Sequence, residues 1–276
     1  QRRALRGLSP LYLLVLGACS GSGRSPQNEF VSFSVGGHVI KGPLSNSLVG
    51  LDYNGDGIVD SSTVRSGSDG SYSLTASNNT YTVVAVTDDT TVDMSSGTVL
   101  SGVTFKAPSG ASVVTPTTTL MEEGNLTSAQ VVKVLGLPDG VDPLNFDPYA
   151  SDADPTAALA VEKVSHQITS VVTAFASSVE GAGAGEEEAF KAALTSVVAV
   201  VKAKVANLTD EAATNADQSL DLTNFTDLAL IKTQVQAEVD TVAGVNTTAF
   251  NALIDETTVA IENINTKISA ATDLTS

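Results

Sequence analysis

Between Val114 and Leu120 the apolar residues stop alternating and begin to recur at steps of three and four. That single switch limits the chain to strands followed by helices, because alternate residues share a sheet face while residues three and four apart share a helix face. From Phe30 to about Val114, short runs rich in Val, Thr, Tyr and Phe are separated by Gly, Asn, Asp and Ser clusters. The expected strands are Val31–Ile40, Leu48–Asp52, Ser62–Arg65, Ser71–Thr75, Tyr81–Thr87, Thr98–Phe105 and Ala111–Val114. Their number and spacing suit a β-sandwich. Asp69-Gly70 lies between two of the runs and signals a hairpin, since Gly accepts a positive φ.

Beyond Pro116 the grammar is helical. Thr127-Ser128-Ala129-Gln130 fits a capping box, and Gly136 followed by Pro138 stops that short helix. Residues 137–153 hold three prolines and read as an irregular connection, open to proteolysis. Asp154-Pro155 then supplies an N-cap with Pro at the first helical position. Apolar stripes predict four main helices, near 155–180, 186–208, 224–243 and 247–271. Gly181, Gly183 and Gly185 break the first from the second, and Glu186–Glu188 place negative charge at the second helix start. Of the links between these four helices, the one at about 209–223 is the longest. The expected fold class is therefore α+β in two domains, an all-β sandwich over 30–116 and an antiparallel helical bundle over 117–276.

The N-terminus carries a different signal. Arg2, Arg3 and Arg6 precede a short apolar run, Leu11 to Ala18, which ends in Leu16-Gly17-Ala18-Cys19. A basic segment, a short apolar segment and small residues before a cut site make a secretory signal, here residues 1–18. Cys directly after Leu-Gly-Ala resembles the lipobox of bacterial lipoproteins, with an ordinary signal and a chance Cys as the bland alternative. The resemblance implies that Cys19 becomes the first mature residue and carries acyl chains, and that the protein sits at the outer membrane or cell surface. Residues 19–29 then form a flexible tether. Cys19 is the only cysteine, so neither an internal disulfide nor a thiolate metal site can form. With 14 Lys and Arg against 31 Asp and Glu, the net charge is −17; removal of three arginines with residues 1–18 takes it to −20. Such a surface repels nucleic acid and favours cations, although a saline habitat accounts for it equally well.

The sharpest chemical pattern is Asp52-Tyr53-Asn54-Gly55-Asp56-Gly57-Ile58-Val59-Asp60. Oxygen side chains at alternate positions with Gly sixth match the calcium-loop pattern, because a hard cation takes six to eight oxygens from a tightly wound loop. Asp52, Asn54, Asp56, the Ile58 carbonyl and Asp60 are the expected ligands of a Ca2+ ion. The twelfth position, where an EF-hand places a bidentate Glu, is Thr63, so weak affinity is expected, about 0.1–1 mM. Asp69 is a candidate replacement, and an ion-free acidic turn is the alternative. The order GGHVIKGPLSNSLVGLDYNGDGIVD, SDGSYSLT and APSGASVVTPTTTL resembles a repeated module of large bacterial surface proteins. That module belongs with the transthyretin-like sandwiches called SdrD B-like or carboxypeptidase regulatory-like domains. The segment VVKVLGLPDGVDPLNFDPYA is similar to the helical extension of such modules, although the usual D-x-x-G-E ending of the loop is missing. The resemblance covers about residues 35–150 and implies an Ig/transthyretin-like sandwich with a surface, stalk or adhesion role and no catalysis.

Enzyme signatures are weak. No H-E-x-x-H, G-x-S-x-G or G-x-x-x-x-G-K-[ST] occurs, and His38 and His166 are the only histidines. Lys41 raises a sharper idea, an isopeptide bond to Asp88, Asp89 or Asp93 of the kind that surface sandwiches sometimes form. The leading expectation is a non-enzymatic, lipid-anchored protein that meets a surface or matrix partner. An exported hydrolase of polysaccharide or peptide, and a plain spacer, are the alternatives.

Overall fold

The computed structural model describes residues 32–208 and 219–274. Cys19 and the segments expected to be a signal (1–18) and a tether (19–29) lie outside the described residues, as does part of the 209–223 link.

The architecture is α+β, with strands first and helices after. Strands β1 (Phe33–Val39), β2 (Leu44–Ser45), β3 (Leu48–Asp52), β4 (Val64–Arg65), β5 (Ser71–Ala76), β6 (Thr82–Val86), β7 (Val92–Asp93), β8 (Thr98–Val99), β9 (Thr104–Pro108) and β10 (Val113–Val114) form three small sheets. Their orders are β10-β1-β5, β2-β7-β8 and β4-β3-β6-β9, and every pairing is antiparallel except β1 with β10. Alternation decides the buried face: Tyr72, Leu74 and Ala76 of β5 are buried while Ser73 and Thr75 are exposed. Strand β6 is buried along most of its length, as expected for a strand with neighbours on both sides.

Several expectations needed correction. Asp69-Gly70 makes a turn rather than a hairpin, because β4 pairs with β3 while β5 pairs with β1. The turn is tight: Gly70 has φ 82°, its carbonyl accepts the Val39 N–H at 2.9 Å, and a Cβ there would lie 2.5 Å from the Val39 carbonyl oxygen. The run Thr98–Phe105 splits into β8 and β9 around Gly102, whose φ is 73°. The connection 137–153 is irregular yet pinned, since the Leu144 carbonyl accepts Ser112 N–H at 2.9 Å and Leu137 and Val141 are buried.

Six helices follow among the described residues: α1 (Pro116–Gly124), α2 (Ser128–Leu135), α3 (Pro155–Gly181), α4 (Glu186–Ala206), α5 (Phe225–Val239) and α6 (Thr247–Ser269). Helix α1 starts in a capping box between Thr115 and Thr118, with Pro116 in the first turn, and α2 in the expected one between Thr127 and Gln130. Asp154 caps α3 by accepting the Thr156 and Ala157 N–H groups. Helix α3 packs against α4 and α6, and α5 closes against the same two. The apolar interior divides into a helical cluster around Phe175, Val197, Ile231 and Ile261 and a strand cluster around Val49, Leu74, Val83 and Phe105. Leu144 and Phe190 pack against both. Helix α1 ties the layers together, because Thr118 Oγ1 donates to the β9 Lys106 carbonyl at 2.7 Å and Thr119 Oγ1 accepts the Lys106 N–H at 2.9 Å.

Candidate cation-binding loop

Asp52 is the last residue of β3, and the chain then winds back upon that carboxylate. Asp52 is 2% exposed. Its Oδ1 accepts Asn54 N–H at 3.0 Å and Gly55 N–H at 2.8 Å, and its Oδ2 accepts Gly57 N–H at 2.7 Å. The winding needs left-handed backbone at Gly55 (φ 79°) and Gly57 (φ 84°), which only glycine adopts without strain. Burial pushes the Asp52 carboxyl up, but the Gly55, Gly57 and Asn54 N–H groups and the Lys106 ammonium outweigh it and hold the group below the usual carboxylate range.

The other oxygens repeat the pattern one step along. Asn54 Oδ1 accepts Asp56 N–H at 2.8 Å, Asp56 Oδ1 accepts Ile58 N–H at 2.8 Å, and Asp60 Oδ2 accepts Tyr53 N–H at 2.8 Å. Asp60 N–H in turn donates to the Leu51 carbonyl at 2.8 Å, closing the loop onto β3. The loop thus brings Asp52, Asn54, Asp56 and Asp60 into one turn: the first three side chains organise the backbone ahead of them, and Asp60 reaches back to Tyr53 and closes it. The Ile58 side chain is 68% exposed, so this position serves the turn rather than a core.

Asp69 does not join the loop; its Oδ1 accepts Ser71 N–H at 3.0 Å. Among the described residues no group of three or more His, Cys, Asp and Glu side chains is arranged to hold a metal ion. The side-chain oxygens that this loop gathers are those of Asp52, Asn54, Asp56 and Asp60, each accepting a backbone N–H. A positive neighbour borders it. Lys106 Nζ would lie 3.1 Å from a Cβ at Gly57, and its ion pair with Glu123 at 2.6 Å diverts that charge. Neither Lys106 nor Glu123 carries a sequence signal linking it to the distant loop; only the β6–β9 and β9–α1 packing does.

The remaining candidates occupy other places. His38 Nδ1 lies 3.5 Å from Asp147, and His166 Nε2 lies 3.2 Å from the buried Glu162 one turn earlier on α3. Of the three acids considered for Lys41, the structure brings Asp93 to it at 2.7 Å, while Asp88 pairs with Arg65. Asp88 Oδ1 accepts the Thr90 hydroxyl at 2.5 Å, and that bond together with Arg65 pulls the carboxyl down to about 2. No described helix is long and apolar enough to cross a membrane. No protein-family pattern, curated protein or solved structure was found to match the chain.

Proposed function

We propose that the chain is a lipid-anchored protein of the outer membrane or cell surface, a structural or adhesion module without catalytic activity. In this reading the three small sheets are parts of an Ig/transthyretin-like sandwich and α3–α6 form an antiparallel bundle. The two together present a face to a surface protein or matrix partner. The observation that carries the reading is the order of residues before Cys19: arginines, a short apolar run, then Leu16-Gly17-Ala18-Cys19. Two or three acyl chains on that cysteine would give durable anchoring where one chain is marginal.

The loop at 52–60 adds weak Ca2+ binding to the proposal, supported by the way two left-handed glycines and four oxygen side chains wind it. The arrangement of helices supports the bundle, because α3 with α4, α4 with α5, α5 with α6 and α6 with α3 pack in a ring, with a smaller α3–α5 contact across it. Detergent-phase partitioning read together with mass tests the anchor: wild type should enter the detergent phase as a processed, acylated chain, and Cys19→Ser should remain an unacylated precursor with residues 1–18 retained. Wild type recovered as a soluble periplasmic protein would remove the proposal.

A further inference from the structure

Lys41 and Gly42 form the tight turn between the paired residues Ile40 and Pro43. The chain then enters β2, whose Leu44 pairs with Asp93 of β7, and Met94 N–H donates to the Pro43 carbonyl at 2.9 Å. The turn therefore lies directly over Asp93. Lys41 Nζ donates to Asp93 Oδ2 at 2.7 Å, with the Lys41 side chain 14% exposed and that of Asp93 fully buried. Glycine at 42 makes this approach feasible, since a Cβ there would collide with Asp93 Oδ1. From the other side, the buried Glu162 of α3 accepts Gly42 N–H at 2.9 Å and fixes the turn.

We propose that Lys41 and Asp93 condense into an intramolecular amide that staples the turn after β1 to β7. The proposal is independent of the anchoring and calcium readings. Burying an ion pair is expensive, and replacing two buried charges by a neutral amide removes that cost. The fixed pair supplies the proximity that makes an otherwise slow condensation effectively unimolecular. Burial pushes the Asp93 carboxyl up, yet Lys41 and Ser95 hold it below its ordinary range, so the resting state is the ion pair. Proton transfer along the Nζ–Oδ2 hydrogen bond yields a neutral amine beside a neutral acid. Nζ then attacks Cγ, and negative charge develops on Oδ1. That oxygen already accepts Ser95 N–H at 2.9 Å and the Ser95 hydroxyl at 2.6 Å, with Ser96 N–H at 3.4 Å, so donors stand where the charge appears. The Cγ–Oδ2 bond breaks, and Oδ2 departs as water with two of the three ammonium protons. The Nζ–Cγ bond forms, nothing is oxidised or reduced, and no co-reactant is needed.

Intact mass of the denatured full chain tests this, with Cys19→Ala as background so that acyl heterogeneity does not blur the reading. The expected result is a mass one water below that of the sequence. In the digest, trypsin should fail to cut after Lys41, and a branched peptide should join the Lys41 and Asp93 segments. Lys41→Arg and Asp93→Ala, each in that background, should return to the full sequence mass. Full sequence mass in the background protein would overturn the proposal. So would a water loss that maps to Asp56-Gly57, Asp69-Gly70 or Asp139-Gly140 as a cyclic imide, without a branched peptide.

Discussion

Replacing Asp52 by asparagine removes one negative charge and one acceptor at nearly constant volume, and the hydrogen bonds of the loop set the cost. With its oxygen toward Asn54 and Gly55, the substituted amide would keep those two bonds and turn its NH2 group toward Gly57 N–H, which Asp52 Oδ2 now accepts at 2.7 Å. Two donors then face each other at a position that is 2% exposed. A hydrogen bond to a charged acceptor contributes roughly 1.5–3 kcal/mol, and the two surviving bonds weaken when the charge goes. Cheaper burial of a neutral side chain offsets part of this. The net penalty is about 2–3 kcal/mol, which for a chain of this size lowers the melting temperature by roughly 4–12 °C. The assay is thermal unfolding of the full chain followed by circular dichroism, in chelator so that no cation contributes. Asp56→Asn is the control: this exposed side chain accepts only Ile58 N–H, and its loss should cost less than about 1 kcal/mol. If Asp52→Asn melts with wild type, or no lower than Asp56→Asn, the winding of the loop around a buried carboxylate is wrong.

Three further outcomes are expected. Calcium at ten times its Kd should stabilise the folded chain by roughly 1.4 kcal/mol, raising the melting temperature by about 3–6 °C, and Asp56→Ala should abolish the increment; no shift in wild type would reduce the loop to an acidic turn. Phe175, fully buried among α3, α4 and their neighbours, should cost about 3–5 kcal/mol as Phe175→Ala in urea unfolding, and a loss under about 1 kcal/mol would contradict its place in the helical core. Burial pushes the Asp142 carboxyl up, but Asn145, Leu144 and Ser128 bonds outweigh it and hold it low, so its contribution is present above the unfolded carboxylate pKa and is lost as pH falls through the folded value. Because the group is largely exposed, Asp142→Ala should cost under about 1 kcal/mol at pH 7, and that cost should shrink toward zero as pH falls through the folded value; a difference that stays constant through the acid titration would refute the assignment.

Where local chemistry dictates structure, the sequence was readable. Asp154-Pro155 and Glu186–Glu188 mark the starts of α3 and α4, and the apolar stripes carry α5 and α6 to within a few residues of their observed ends. Strand β3 follows from its own residues in the same way. What escaped is set by partners distant in sequence. Strands β2 and β7 are two residues each and exist only because they lie beside one another, a pairing no periodicity reports. Helix α1 is built on three consecutive threonines, poor helix formers, and is stabilised instead by its capping box and by hydroxyl bonds to Lys106. The spacing of oxygens in the 52–60 loop was legible; the burial of Asp52 and the approach of Lys106 depend on β9. Lys41 had three acids to choose among, and only the β2–β7 register selects Asp93.

The anchor is the central claim, and the mass of the N-terminal peptide tests it most directly. Wild-type chain isolated from bacterial membranes should begin at Cys19 and carry two or three acyl chains on that residue, and Cys19→Ser should retain residues 1–18 without acylation. An N-terminal peptide containing unmodified Cys19, cleaved or uncleaved, would contradict the account.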